Sequence, residues 1–413
     1  MMTRKKVLMV AYACNPKGGG EHWLGWGWAQ EAARNHEVWL LTTPKHAAEV
    51  QEAAVAIGIH PVIVSLSPIW DQICKKMGGL QSWLRKYLWQ YEALRTARKL
   101  HATIGFDIVH QTTFHTFRVP MATTSLGVAS VWGPMAGGES VPKGYEIYLG
   151  KGRVAESFRN VMNRICLYHP GVQSSLSKAS RLLVSNRTTV GFLPQRVRNK
   201  CVVVAPNALR DEDMEQAPLT REKRMAGARA NLIYVGNCVN RRGLFLAFEV
   251  MKRFRPEEAH LKVVGSGADW ADWKKYCEDA RLMDRVEFAG AVDSATVRKF
   301  YDASDALMFP SLRDSGGSPL LEAMTRGLPV ICLDWAGPGE MVNQESAFLL
   351  PANDPSDTLN AMEAAIRQLI NNPESAAVII RAARERALDV FSWAHKGDLL
   401  DRVYEEVLNE SKA

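Results

Sequence analysis

Short apolar runs alternate along the chain with stretches in which apolar residues return every three or four positions, the periods of a buried strand and of an amphipathic helix. The runs predict strands over 7–12, 38–41, 61–66, 108–110, 128–132, 181–185 and 202–205. They resume over 231–236, 261–264, 286–288, 306–309 and 330–333. Helical spacing predicts helices over 23–34, 70–101, 244–254, 270–282 and 296–303, and a short one from Pro319 that stops at Gly327 and Pro329. Residues 143–168 are polar with scattered apolar positions and read as surface helix and loop. A charged stretch over 211–230 lacks strong periodicity and separates the halves. Strand–helix alternation on both sides of it predicts an α/β protein of two doubly wound, Rossmann-like domains, each with a parallel sheet. The first spans 1–206 and the second begins at 207.

Glycine-rich turns fall where predicted strands end, and ligands of parallel sheets bind outside the carboxyl ends of strands. Gly18, Gly19, Gly20 and Glu21 follow the first strand, and Gly133, Gly137, Gly138 and Glu139 follow another. In the second half the turns carry Gly236, Asn237 and Gly243, then Gly265 and Gly267, then Ser315, Gly316, Gly317 and Ser318. If the two domains oppose each other, all of these line one cleft. The stretch 307–333 is the most telling, because its turn aims backbone N–H groups at the positive end of a helix, a place for phosphate. Asp314 and Glu322 bracket that turn with seven residues between them, and acids so placed suit sugar or ribose hydroxyls. The same features also fit an ordinary βαβ connection with a solvated Asp and Glu. Arg242 is the natural phosphate clamp, being permanently charged and bidentate, whereas Arg241 reads as a solvated turn residue.

Composition narrows the classes. The 413 residues, 47 % hydrophobic, suffice for two packed cores, and no apolar run is long enough to span a membrane as a helix. Seven cysteines without CxxC spacing suit a reducing, cytoplasmic setting. The start, with its charged head, short apolar run and Cys14, faintly imitates a secretion or lipoprotein signal, but the run is short and leads directly into a glycine turn and helix, so a first strand is the expectation. A net charge of +7 favours anionic partners. Over 70–101, Lys75, Lys76, Arg85, Lys86, Arg95, Arg98 and Lys99 are interleaved with Trp70, Trp83, Tyr87 and Trp89. That suits either an anionic membrane surface or a helix with a solvated basic face. No nucleic-acid-binding motif accompanies it. The ten histidines show no metal spacing, and neither GxGxxG, GxSxG nor a P-loop occurs. His110, ending a strand, could face a cleft or be packed.

Taken in order, these motifs resemble family 4 of the retaining glycosyltransferases of the GT-B fold, also called glycosyl transferases group 1, over nearly the full length. The likeness rests on Gly18 to Glu21, on Val204-Ala205-Pro206-Asn207, on Tyr234-Val235-Gly236-Asn237 leading to Arg242-Gly243, and on Gly265-Ser266-Gly267. It rests further on Asp314 to Glu322 running into the LLEAMTRGLPVI segment, and on Phe391-Ser392-Trp393. The resemblance implies a donor domain over 207–390 and a helix over 391–413 that crosses back to the first domain. It implies transfer from a nucleotide-diphosphate sugar, UDP- or GDP-linked, to a glycan, a lipid-linked or another hydroxyl acceptor, with no metal or other cofactor. It gives Asp314 and Arg242 catalytic roles, with Asp314 on the sugar and Arg242 on the diphosphate. Donor binding falls to Gly19, Gly20, Gly236, Asn237, Gly265, Gly267, Gly316, Gly317, Ser318 and Glu322, the last on the ribose. His110, Gly137, Gly138 and Glu139 are expected on the acceptor side. The enzyme so implied is cytoplasmic, peripheral at the inner face of the membrane if 70–101 docks there.

Three positions depart from the family pattern. Asp314 replaces a Glu, Asn237 replaces an Arg, and Trp132-Gly133-Pro134 stands where a His is usual. The departures leave two other readings on the same scaffold: a nucleotide-sugar epimerase or hydrolase, and a non-catalytic nucleotide-binding protein.

Overall fold

The computed structural model describes residues 4–76, 81–209 and 226–411, and it divides the chain into two compact units. The first comprises residues 1–138, 161–206 and 393–413, and the second 139–160 and 207–392. Most of the expected charged boundary, 211–225, lies outside the described residues.

In the first unit, strands β1 (Lys6–Ala11), β2 (Glu37–Thr42), β3 (His60–Ile63), β4 (Ile108–Thr113), β5 (Ala129–Met135), β6 (Arg181–Val184) and β7 (Cys201–Val203) form one sheet in the order β3-β2-β1-β4-β5-β6-β7. Every pairing is parallel. Side chains on β4 and β5 are buried throughout, because helices cover both faces of a parallel sheet. One face holds Val7, Met9, Trp28, Val131 and Leu183, and the other Leu8, Val10, Trp89, Trp132 and Leu182. The expected long helix over 70–101 is instead two helices, Pro68–Lys76 and Gln81–Ile104.

The C-terminal helix, Trp393–Glu410, belongs to this unit and buries Leu400, Val403, Tyr404 and Val407 on its sheet. Each such burial contributes about 1.5–3 kcal/mol. A glycine in the facing helix permits the approach: a Cβ at Gly27 would overlap the Trp393 ring. Polar ties add to this: His36 Nε2 meets Asp401 at 3.0 Å in a buried contact, and Asn35 Nδ2 donates to the same carboxylate at 2.6 Å nearer the surface.

The second unit has β8 (Ala230–Val235), β9 (Ala259–Val264), β10 (Val286–Gly290), β11 (Ala306–Phe309), β12 (Val330–Leu333) and β13 (Phe348–Leu350) in the order β10-β9-β8-β11-β12-β13, again parallel. Residues 139–160, expected in the first domain, belong here instead. Tyr145 and Leu149 complete the second core, the Tyr145 hydroxyl meets Thr358 Oγ1 at 2.6 Å, and Asn240 Nδ2 donates to the Leu149 carbonyl at 2.9 Å. The apolar positions scattered over 143–168 are not random: Val154, Phe158, Val161, Ile165 and Tyr168 are exposed at alternating four- and three-residue intervals, all but Tyr168 within the helix Gly152–Leu167.

Candidate functional site

Three neighbouring strands of the second sheet, β9, β8 and β11, end in the glycine turns singled out from the sequence. The turns interlock because their glycines lack side chains. A Cβ at Gly265, whose φ is +136°, would overlap the Gly236 carbonyl, and one at Gly267 would overlap the Asn237 side chain. Backbone bonds tie the two turns, with Gly236 N donating to Val264 O and Cys238 N to Ser266 O at 3.0 and 2.9 Å. The buried Tyr234 hydroxyl donates to the Asn237 carbonyl at 2.9 Å and holds that turn from beneath.

From this platform a single turn (Asn240–Arg242) delivers Arg242, followed by Gly243 at φ +69°. Any side chain at Gly243 would strike the Pro310 carbonyl, so the chain after β11 passes directly over it. Leu312 N and Arg313 N both donate to the Arg241 carbonyl, at 3.0 and 3.3 Å, which fixes the register between the two segments. As a result Arg242 Nη1 donates to Asp314 Oδ2, and the guanidinium lies over the Phe309 ring, 5.6 Å from its centroid. The other carboxylate oxygen, Asp314 Oδ1, accepts from Gly316 N at 3.5 Å. Arg242 is thereby held by a carboxylate and an aromatic face, yet its buried Nε–H has no hydrogen-bond partner among the described residues. A buried donor left unmade costs about 1–3 kcal/mol, and the carboxylate that holds this guanidinium also accepts from the Gly316 amide. Burial and the neighbouring Arg241 push the Arg242 guanidinium down to about 10. It stays a cation at neutral pH.

The Ser315–Ser318 turn opens the helix Ser318–Thr325, whose N-cap is Gly317 and which no side chain caps. Two neighbours shape the turn. Asn207 Nδ2 donates to the Gly316 carbonyl at 3.2 Å, and Gly337 packs so closely on Ser315 and Gly316 that a Cβ there would overlap both. Glu322 lies one turn along this helix and accepts from the Tyr301 hydroxyl at 3.2 Å. The structure thus brings Arg242, Asp314, Gly316, Gly317 and Ser318 together beside the Gly236–Gly267 platform, with Glu322 on the same short helix. Such a set can hold a diphosphate by guanidinium and amides while the acids meet hydroxyl groups.

Arg241 is not the solvated turn residue expected. Its Nη1 donates to the Arg313 carbonyl at 3.0 Å, and burial lowers its pKa. Arg313 Nε pairs with Glu156 at 3.0 Å, and Arg159 meets Glu156 and Glu139 at 3.4 and 3.9 Å. Glu139, expected on the acceptor side, therefore belongs to this buried ion network of the second unit.

The remaining expected positions lie in the first unit. Gly19 and Gly20 precede the helix Glu21–Asn35 in open surroundings. Gly138 packs on Thr189 and Phe192, and the Gly137 carbonyl accepts from Asn163 Nδ2 at 2.6 Å. His110 is fully buried, its ring nitrogens engaged by the Tyr404 hydroxyl at 2.8 Å and the Gly133 carbonyl at 2.7 Å. Burial pushes its pKa down to about 4. It is a packed core histidine, not an acceptor-side residue. Arg313, Glu156, Tyr301 and Gly337 escaped the sequence reading, since only the fold places them here; Asn207 was visible within its Val204–Asn207 motif. Among the described residues, no group of three or more His, Cys, Asp or Glu side chains is placed to hold a metal ion, and no helix is long and apolar enough to cross a membrane.

Residues 218–386 match the family described as glycosyl transferases group 1. A 2-deoxystreptamine glucosyltransferase of Streptomyces kanamyceticus is 25 % identical over 52 % of this chain and 56 % of its own length. A Mycobacterium tuberculosis glycogen synthase is 26 % identical over 42 % of each chain. The chain spans about half the length of the curated relatives it matches. Among solved structures, HepE of Anabaena in complex with UDP and glucose superimposes with a TM-score of 0.62, 14 % identity, 97 % coverage of this chain and 100 % of that one. The fold is GT-B.

Proposed function

We propose, from the match of residues 218–386 to glycosyl transferases group 1, that the chain transfers a sugar from a nucleotide-diphosphate sugar to a hydroxyl of a glycan or lipid-linked acceptor, with retention of configuration and without a metal. The observation that carries the reading is the Arg242–Asp314 pair, whose carboxylate also accepts from Gly316 N and whose guanidinium keeps a buried Nε–H without a partner among the described residues. Neighbours of the same fold carry UDP or UDP-glucose, which supports a nucleoside diphosphate as the anion.

In this reading Arg242 and the turn amides take the diphosphate, and Asp314 holds the guanidinium in place and reaches the sugar hydroxyls. Glu322 takes the ribose, while Gly236, Asn237, Gly265 and Gly267 border the nucleoside. As the bond between the anomeric carbon and the diphosphate oxygen lengthens, negative charge grows on the leaving group. A cation fixed in advance stabilises that state more than the ground state. The acceptor oxygen bonds the anomeric carbon on the same face, and its proton passes to a departing diphosphate oxygen, so no protein base is needed. Thermal-shift screening with uridine, guanosine and adenosine diphosphate sugars tests the donor class. At least one is expected to raise the melting temperature in wild type but not in Arg242→Ala; stabilisation by none, or equally in both, overturns the reading. Turnover of donor alone separates it from a hydrolase or epimerase, which needs no acceptor.

We further propose a cytoplasmic enzyme docked peripherally on an anionic membrane. Ile69, Trp70 and Ile73 are exposed on the helix Pro68–Lys76, and Arg95, Arg98 and Lys99 on the helix that follows. Apolar anchors beside basic residues are the makeup of a surface-lying helix. Wild type is expected to bind vesicles containing phosphatidylglycerol and Trp70→Ser/Ile73→Ser to bind them less; equal binding removes this part.

A further inference from the structure

Beyond the donor site, the first unit contains a cavity of about 820 Å³ that no motif announced. It lies at the carboxyl ends of adjacent strands β1, β2 and β3, lined there by Tyr12, Lys45 and Val64, and is lined further by Asp71, Arg85 and Lys86 of the two helices that follow β3. Its volume lies within the usual range for small-molecule sites, roughly 300–1,000 Å³.

The lining is asymmetric. One wall is aromatic: Tyr12 packs on Trp89 and Phe114 with ring centroids 5.2 and 4.5 Å away. The Trp89 Nε1–H donates to the Val64 carbonyl at 2.9 Å, so that ring offers only an apolar face. Three of the charges are already engaged. Arg85 pairs with Asp71 at 2.7 Å, and Glu21 accepts the His115 amide at 2.6 Å. Lys86 is different. Its ammonium lies 5.0 Å from the Phe114 ring centroid and 5.3 Å from that of Trp83, and no carboxylate of the described residues pairs with it. A half-buried ammonium held over aromatic faces, with Lys45 on the same cavity, is a cation awaiting an anion.

We propose that this cavity binds the acceptor, and that the acceptor is a glycoside bearing an oxyanion, a phosphate or a carboxylate. Lys86 takes the oxyanion, and the Tyr12–Phe114 wall takes the apolar face of the sugar or its aglycone. The inference rests on the transferase reading and names the substrate class for it. It also changes the role of Arg85 and Lys86: they are half-buried cavity residues rather than part of a membrane-facing basic surface.

The test uses three probes that share one body: p-nitrophenyl β-glucoside, its 6-phosphate and p-nitrophenyl β-glucuronide. Binding to the full chain is measured by titration calorimetry, without transfer. One charge-assisted hydrogen bond amounts to about 1.5–3 kcal/mol, so an anionic probe is expected to bind about tenfold to a hundredfold more tightly than the neutral glucoside. The phosphate and glucuronide arms distinguish the two anion sources. Lys86→Gln is expected to abolish the preference and Lys86→Arg to keep it. Equal binding of all three probes, or an anion preference that survives Lys86→Gln, overturns the proposal. Nucleotide binding is measured on the same samples. If it persists while anion preference is absent, only the acceptor assignment falls; if nucleotide fails to bind wild type, the donor reading falls.

Discussion

Replacing Arg242 by alanine tests the donor site at its most exposed assumption. Among the described residues, the guanidinium has one fixed partner, Asp314, one aromatic support, Phe309, and one buried donor with no partner. Two charge-assisted hydrogen bonds from a fork to a diphosphate amount to about 3–6 kcal/mol at about 1.5–3 kcal/mol each. With roughly 1.4 kcal/mol per tenfold in rate, kcat/KM is expected to fall between a hundredfold and ten-thousandfold. Arg242→Lys keeps the charge and loses the fork, so its loss should be intermediate. The assay is initial-rate transfer with the donor that passes thermal screening, read beside a urea melt. The melt matters because Arg242→Ala strips Asp314, only 9 % exposed, of its cation. That alone destabilises the fold by about 1–3 kcal/mol. The double variant Arg242→Ala/Asp314→Asn separates the effects: it should recover stability without recovering turnover. Turnover within threefold of wild type in folded Arg242→Ala, or its return in the double variant, refutes the reasoning.

Other expectations follow from single contacts. Glu322→Ala removes the acceptor of the Tyr301 hydroxyl and the proposed ribose contact, and should weaken nucleotide binding about tenfold to a hundredfold by calorimetry. Asn207→Ala frees the Gly316 carbonyl; a neutral hydrogen bond of about 0.5–1.5 kcal/mol predicts a twofold to tenfold rise in nucleotide Kd. Gly27→Ala drives a methyl into the Trp393 ring and should lower stability by about 1–3 kcal/mol in denaturant melts. Burial pushes the Lys396 ammonium down to about 7, so from pH 7 towards 10 the unfolded chain holds a proton that the folded chain lacks, and stability rises with pH. Lys396→Met should flatten that rise, by about 2 kcal/mol between pH 7 and 9 in urea melts.

How much of this was legible beforehand depended on where the information resides. Strands such as Ala306–Phe309 and Val330–Leu333 announce themselves as apolar runs bounded by Gly and Pro, and they lie where the pattern predicts. Phe348–Leu350 was missed because three residues give no period to detect. Arg242, Asp314 and Gly316 were identifiable because turn chemistry is local, and turns at the ends of neighbouring parallel strands converge. The fate of Arg241 was not, since its inward course depends on Arg313, 72 positions away. His110 misled for the same reason. A histidine at a strand's end faces either ligand or core, and here Tyr404, 294 positions distant, decides for the core. Residues 139–160 sit in the first half of the sequence but complete the second core, a crossing that no composition shift marks.

The most direct test of the account is a crystal structure of the chain with an intact nucleotide-diphosphate sugar or its non-transferable analogue. Diphosphate oxygens are expected within hydrogen-bond distance of the Arg242 guanidinium and the Gly316–Ser318 amides, with the ribose hydroxyls on Glu322. A nucleotide bound elsewhere, with Arg242 still paired to Asp314 alone and its Nε–H unanswered, would contradict it.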